Sequence, residues 1–428
     1  MNNQEMMPEN SDAQRKSILR ILNASVFLQT QMFLLPVLLL FYQHNGLSVG
    51  DFFLFQGIFS LMGLLLELPA GYLGDLFPKK YVLMMSYSFF ILRLLLWIFF
   101  AHYGYWILLM GEVLYAAQKA SFSGASDGYV YEYLKSRNIS EKMLKHYGKL
   151  NFFMSIGTAL SSLSGAWLYQ TVSEWSVAKY HQDYGFCVLL AMELILNLSA
   201  FYLLILLPSV QKPAHKHESL REVYSNFFNI IKWTAQSQKI RYHIIYSGLL
   251  SSITLVFVWS FQPIMKLLAF PVSVFGVVYF INHLFRALSS FYLEKIRKIF
   301  TFAKLSLLVF VLFIFCFIMT FVILNIQPLP IYVNMLYFVF VTFTIGLQLS
   351  LSLSNTSRIH EIVPQEMRAT IASIGIASGR MFAGFFFVLL KILLDGLSTQ
   401  ASLWICFGFY IVFAIPLKWV YSISSKEQ

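Results

Sequence analysis

The chain has 428 residues, of which 58% are hydrophobic and only 12% charged, and its mean hydropathy is +0.67. Soluble domains carry about 25% charged residues, so a soluble fold is excluded, and the 43 Phe and 24 Tyr fit surfaces that face lipid and its interfaces. The net charge of +11 comes from Lys and Arg in short segments between apolar runs, without a nucleic-acid-binding motif, so it points to membrane topology and not to a nucleic acid partner.

The first 17 residues are polar. The apolar run that follows is long and lacks a small-residue cleavage site, so it is expected to remain as a membrane span. Runs near the roughly 20 residues that cross a bilayer occur at 18–42, 49–73, 80–101, 105–133, 149–172 and 184–207. After a polar interval they resume at 241–268, 270–293, 301–324, 331–355, 369–394 and 398–420. The pattern predicts an all-α integral membrane protein with twelve transmembrane helices in two sets of six. Its parts are a tail over 1–17, a first bundle over 18–207, a linker over 208–240, a second bundle over 241–420 and a tail over 421–428.

With the N-terminus inside, the inner segments collect Arg15, Lys16, Arg20, Lys79, Lys80, Lys135, Lys295, Lys298, Arg358 and Lys426, among others. The outer segments hold Lys179 and Lys266, with Lys391 near an outer end. Basic residues concentrate on the cytoplasmic side, so both termini are expected there. Within the linker, Ser219-Leu-Arg-Glu222 reads as a capping box. Leu220, Val223, Phe227, Ile230 and Ile231 then recur at helical spacing, as in an amphipathic helix on the inner surface that straps the halves together.

Ionisable groups inside the spans are the next signal, because each costs roughly 2.5–3.5 kcal/mol at a helix centre on insertion scales. Glu112 lies in span four, with Lys119 two turns later on the same face. Glu193 lies in span six, Arg93 in span three, Arg380 in span eleven, and His283 and Arg286 share a face of span eight. Glu112, and after it Glu193 and His283, are candidates for coupling transport to a proton gradient. The competing reading is an ion pair that only fixes helix packing. Arg93 and Arg380 are expected to pair with carboxylates or carbonyls. Polar residues also align on three spans: Gln31 with Asn23 on span one, Ser251 and Gln262 on span seven, and Tyr337, Thr344 and Gln348 on span ten. Such faces suit a substrate path at the midplane, although each residue singly also fits a role as interhelical glue.

Between spans two and three lies Glu67-Leu-Pro-Ala-Gly71-Tyr-Leu-Gly-Asp75-Leu-Phe-Pro-Lys79-Lys80, with a weaker echo after span eight at Ser290-Phe-Tyr-Leu-Glu294-Lys-Ile-Arg-Lys298. In both copies an acid stands four residues after a small residue and a lysine eight after it, which reads as a duplication. Together with the six-plus-six pattern, Gly46-Leu-Ser, Ser123-Gly-Ala-Ser-Asp127-Gly-Tyr-Val-Tyr-Glu132, Gln262-Pro263 and Arg368-Ala-Thr-Ile-Ala-Ser373, this turn resembles the bacterial exporter-like members of the major facilitator superfamily (MFS). The resemblance covers nearly the whole chain. It implies two pseudo-symmetric six-helix bundles around a cavity lined by spans one, four, seven and ten. It also implies a cytoplasmic gate in which Gly71 and Asp75 meet span eleven while Lys79 and Lys80 face Asp127 and Glu132, with Glu294 and Lys298 in the second copy. Leu76 and Pro78 depart from the family's turn, which carries Arg and Gly there, and span four lacks the arginine of proton-drug antiporters.

Gly124-Ala-Ser126-Asp-Gly128 matches a serine nucleophile pattern, but a membrane helix is not the strand-to-helix elbow that pattern needs. The three cysteines lie in apolar runs and the histidines are scattered, so neither a disulfide framework nor a metal site is expected. ATP-binding loops are missing from the sequence. The expectation is a non-enzymatic, monomeric secondary transporter without a bound cofactor, driven by the proton gradient and exporting a small organic or amphiphilic molecule. Nutrient uptake is the alternative within that class, and a non-transporting receptor or scaffold is the alternative outside it.

Overall fold

A computed structural model describes residues 10–135, 143–209, 220–363 and 367–424, and all of its regular structure is helical. The side chain of Asp75, and Ser219 of the expected capping box, lie outside the described part. The helices of the first half are α1 (Asn10–Gln29), α2 (Leu38–His44), α3 (Val49–Leu76), α4 (Lys79–Phe100), α5 (Tyr105–Lys135), α6 (Met143–Tyr180) and α7 (Gly185–Ile205). The linker carries α8 (Leu220–Gln236). The second half holds α9 (Gln238–Leu267), α10 (Val272–Phe291), α11 (Leu293–Ile299), α12 (Phe302–Asn325), α13 (Ile331–Ile362), α14 (Arg368–Gly396) and α15 (Thr399–Ser424).

Local chemistry explains the boundaries. Gly46 takes φ +84°, which a side chain would resist, and this turns the chain back from α2. Ser48 then opens α3 through a capping box: its Oγ accepts from the Asp51 amide at 3.0 Å, and the Asp51 carboxylate accepts from the Ser48 amide at 2.9 Å. Pro78 forces Phe77 into an extended conformation, which ends α3 and places Lys79 at the start of α4.

The expected twelve spans are not matched one for one by apolar helices. Among the described residues, eight helices are long and apolar enough to cross a membrane. The first expected segment is instead broken: α1 ends at Gln29, and a 3-10 turn at Leu35–Val37 precedes α2. Its signal in the sequence was Pro36, which lacks an amide proton and disrupts the helical ladder. α5 and α6 run 31 and 38 residues, long enough to cross, but carry many polar side chains.

The two halves meet along two long pairs, α3 with α14 and α6 with α10. Small residues permit the approach. A Cβ on Gly276 of α10 would stand 2.5 Å from the Ser162 carbonyl of α6, and one on Gly384 of α14 would stand 3.0 Å from Leu61 of α3. At the end distal to the termini the halves are tied by polar contacts. Lys391 bridges Asp51 at 3.4 Å, Lys266 donates to Gln43 at 2.6 Å, and the Ser273 amide donates to Gln170 at 2.8 Å. Towards the termini-bearing end, Ser123 and Asp127 of α5 are exposed. The halves are therefore tied at the distal end, while these two residues towards the other end stay accessible.

Helix α8 packs on the second half, where its Ile230 and Trp233 cover a cluster of Ile240, Ile244, Ile359, Val363 and Ile371, and it also touches α3. The linker thus docks on protein as well as presenting an amphipathic face.

Candidate functional site

The break in the first segment is the centre of the site. An interrupted helix leaves amides and carbonyls without intrahelical partners, and in an apolar interior each must find one. Four side chains from three helices supply them. Glu193 of α7 accepts from the Leu34 amide at 2.8 Å. Ser161 of α6 accepts from the Met32 amide at 2.9 Å, and Thr158 donates to the Thr30 carbonyl at 3.1 Å. Gln262, from the second half, accepts from the Leu39 amide at 2.7 Å and donates to the Leu35 carbonyl at 3.0 Å. The glycines of α6 let it press against the break; a Cβ on Gly165 would collide with the Phe33 carbonyl.

Beside the break lies a charged cluster. Arg93 of α4 contacts Glu112 of α5 at 3.3 Å, and the Tyr42 hydroxyl of α2 donates to the same Glu112 oxygen at 2.6 Å. The guanidinium is held between aromatic faces, 3.9 Å from the Trp97 ring centroid and 4.5 Å from that of Tyr115, where cation–π attraction partly replaces lost hydration. Arg93, Glu112 and Glu193 are 2%, 1% and 1% exposed, so the cluster is buried. The three line one small cavity with Tyr115 of the first half and Trp259 of the second. Its volume, about 10 Å³, is near the minimum for one water molecule.

The remaining expected residues divide by neighbourhood. Lys119 is partly buried on the Glu112 face of α5, with its ammonium 5.2 Å from the Tyr115 ring. His283 and Arg286 are partly buried on α10. Gln31 is buried against the Gly157 stripe and folds back onto the Phe27 carbonyl at 3.0 Å. Ser251 packs against Gly379 of α14. Tyr337 and Thr344 turn into the second half: Tyr337 hydrogen-bonds Thr320 at 2.8 Å, and Thr344 donates to the Phe340 carbonyl at 3.0 Å. Gln348 lines a small pocket with Tyr246, Ser247 and Asn355.

The expected gate residues lie around the ends of α3, α4 and α5 and on α11. Gly71 is exposed, and the Lys79 chain runs across Gly128 of α5. Lys80 does not reach towards Asp127 or Glu132. It donates to the carbonyls of Ile205 and Leu207 at 2.8 and 2.6 Å, where a cation suits the C-terminus of α7. Glu294 and Lys298 stand exposed on α11, a separate short helix, so the second copy of the turn is not a continuation of its span. Among the described residues, Arg380 of α14 joins Glu67 of α3 across the halves at 2.8 Å. Glu67 opens the turn motif, but nothing in the motif itself points to this partner.

The sequence profile of the Major Facilitator Superfamily matches residues 21–388. Among solved structures, the fold is similar to a bacterial homologue of the human lysosomal transporter Spinster, in an inward-facing, unoccupied conformation. The TM-score is 0.70 at 14% identity, over 96% of this chain and 97% of that one. It is similar to the nucleoside transporter NupG, with TM-score 0.69 at 13% identity over 94% and 99% of the two chains. It is also similar to a D-xylose–proton symporter, with TM-score 0.68 at 14% identity over 95% and 97%. No sequence among curated proteins matches the chain.

Proposed function

Because the chain belongs to the major facilitator superfamily and is a membrane transporter of that family, we propose that it moves a small organic molecule by alternating access, coupled to protons through Glu193. The observation that carries this reading is the charge count at the cluster. Two buried carboxylates, Glu112 and Glu193, line one small cavity with a single guanidinium, which contacts Glu112. Arg93 and Tyr42 both donate to Glu112. Glu193 has only backbone amides as hydrogen-bond donors, so it is the group whose charge a proton balances. Its position at the break ties protonation to the backbone between the halves. A neutral Glu193 is a weaker acceptor for Leu34, which loosens the distal closure.

The termini-bearing end is read as cytoplasmic because it carries Lys79, Lys80, Lys135 and the α11 basic residues. The protein then faces inward, in a bacterial plasma membrane and acting as a monomer. Export follows from the resemblance of its motifs to exporters. Uptake by symport is the second reading, favoured by the similarity in fold to a D-xylose–proton symporter.

Untargeted comparison of metabolites between cells lacking and cells overproducing the protein identifies the solute. Added to proteoliposomes with an internal pH dye, that solute is expected to drive proton movement. Glu193→Gln should abolish the proton signal and keep solute exchange. Normal proton movement in that variant would move the coupling site elsewhere and refute the assignment.

A further inference from the structure

Among the described residues, pairing the charges deep in the spans leaves two cations over besides the Glu193 carboxylate, while Arg358 near the inner end of α13 stacks on Phe302. Glu112 holds Arg93, Glu67 holds Arg380, and Asp51 and Asp395 hold Lys391. Among the described residues, neither Lys119 nor Arg286 has a carboxylate within ion-pair distance or a hydrogen-bond acceptor for its side chain. Lys119 has only the face of Tyr115. An isolated charge at such a depth is expensive, and one on each half of the molecule calls for a common explanation.

Their placement supplies one. Lys119 follows the first residue of α5, Tyr105, by fourteen, and Arg286 follows the first residue of α10, Val272, by fourteen. Both helices start at the distal end, so both cations lie roughly 21 Å inward along their helices at 1.5 Å per residue. On α10, Gly276 meets α6 on one flank, and Ser289 donates to the Gly346 carbonyl of α13 on the other. Between the flanks, Tyr279 accepts from Gln262 at the break. Arg286 lies two turns inward of Tyr279 on that same side, with His283 one turn before it. On α5, Lys119 lies two turns inward of Glu112, and the same side becomes exposed at Ser123 and Asp127. Both cations therefore lie at a similar depth, on the helix sides that carry Glu112 and Tyr279 beside the break.

We propose that the transported molecule is an organic anion whose carboxylate or phosphate group binds between Lys119 of the first half and Arg286 of the second. This rests on the transporter reading above. A group held from both sides draws the halves together. His283 is placed to donate a further hydrogen bond to the anion.

Two measurements on the full-length protein test this. Removing a cation that serves only the ligand should not weaken the empty protein, so Lys119→Met and Arg286→Met should melt at or above the wild-type temperature. A lower melting temperature would show an internal role and overturn the proposal. The second measurement is ligand-induced stabilisation by sets of one carbon skeleton bearing a carboxylate, a phosphate ester, an alcohol or an amine. The carboxylates or the phosphate esters should stabilise the wild type, which also distinguishes these two chemistries. Each Met variant should bind them at least about 30-fold more weakly, as expected for truncating a buried charge pair. Stabilisation by alcohols or amines alone, by none of the set, or unchanged anion affinity in the variants refutes the assignment. A neutral or cationic solute in the metabolite comparison would refute the anion and leave transport standing. Anion binding without any transported solute would do the reverse.

Discussion

Replacing Glu193 by leucine tests whether the break in the first membrane segment hangs on this carboxylate. The side chain is 1% exposed and accepts from the Leu34 amide at 2.8 Å, with the Phe33 amide directed at the same group. Leucine is of similar size and accepts no hydrogen bond, so both amides lose their acceptor in a buried interior. Each buried donor left unmade costs about 1–3 kcal/mol. Removing a buried carboxylate and adding apolar surface returns about 1–2 kcal/mol. The net loss is therefore about 0–5 kcal/mol, centred on about 2.5 kcal/mol, and a bundle of this size loses roughly 2–4 °C of melting temperature per kcal/mol. Glu193→Gln keeps a carbonyl oxygen where the carboxylate was, so it should lose less than about 1 kcal/mol. Thermal unfolding followed by tryptophan fluorescence in lipid nanodiscs reads both. If leucine melts with the wild type, or if glutamine falls as far as leucine, the carboxylate is not what holds the break.

Other outcomes follow from the same contacts. Glu67→Arg and Arg380→Glu should each impair transport, and the double exchange should restore it, with a coupling of about 1–2 kcal/mol for a pair that is roughly one-fifth exposed. Failure of the exchange to rescue would show that the pair is incidental. Gly165→Ala places a methyl group against the Phe33 carbonyl and should destabilise by about 1–3 kcal/mol; an unaffected melting curve would contradict that packing. Lys391→Ala removes a partly exposed tie at the distal end, worth about 0.2–1 kcal/mol. It should raise the labelling rate of a cysteine placed at Gln43 no more than about five-fold, and an unchanged rate would mean the tie does not hold the closure.

The two halves were legible because run length and charge placement are properties of the bilayer, and every span must satisfy them. The break was not, although Pro36 stood inside the first run. Hydropathy sees side chains, whereas the break is a backbone event completed by Glu193, Ser161 and Gln262 from other helices. The same limit applied to the polar faces. Helical spacing showed that Tyr337 and Thr344 share a side of α13, but only packing reveals that they hydrogen-bond within the second half. Glu112 stood out as a buried acid in span four, and the structure gives it a guanidinium and a phenol, while Glu193 is left with amides. Glu67 was visible in the turn, but its partner is 313 residues away.

Gln262 has a consequence for the transport cycle. It closes the broken segment from the opposite half, through one amide and one carbonyl of the backbone. When the halves part at the distal end, those two backbone groups must find new partners, and water is the only solvent at hand. Opening is thus a wetting event at a fixed point of the chain. Its rate should fall as water activity is lowered with an excluded osmolyte, even when the osmolyte touches no part of the substrate path.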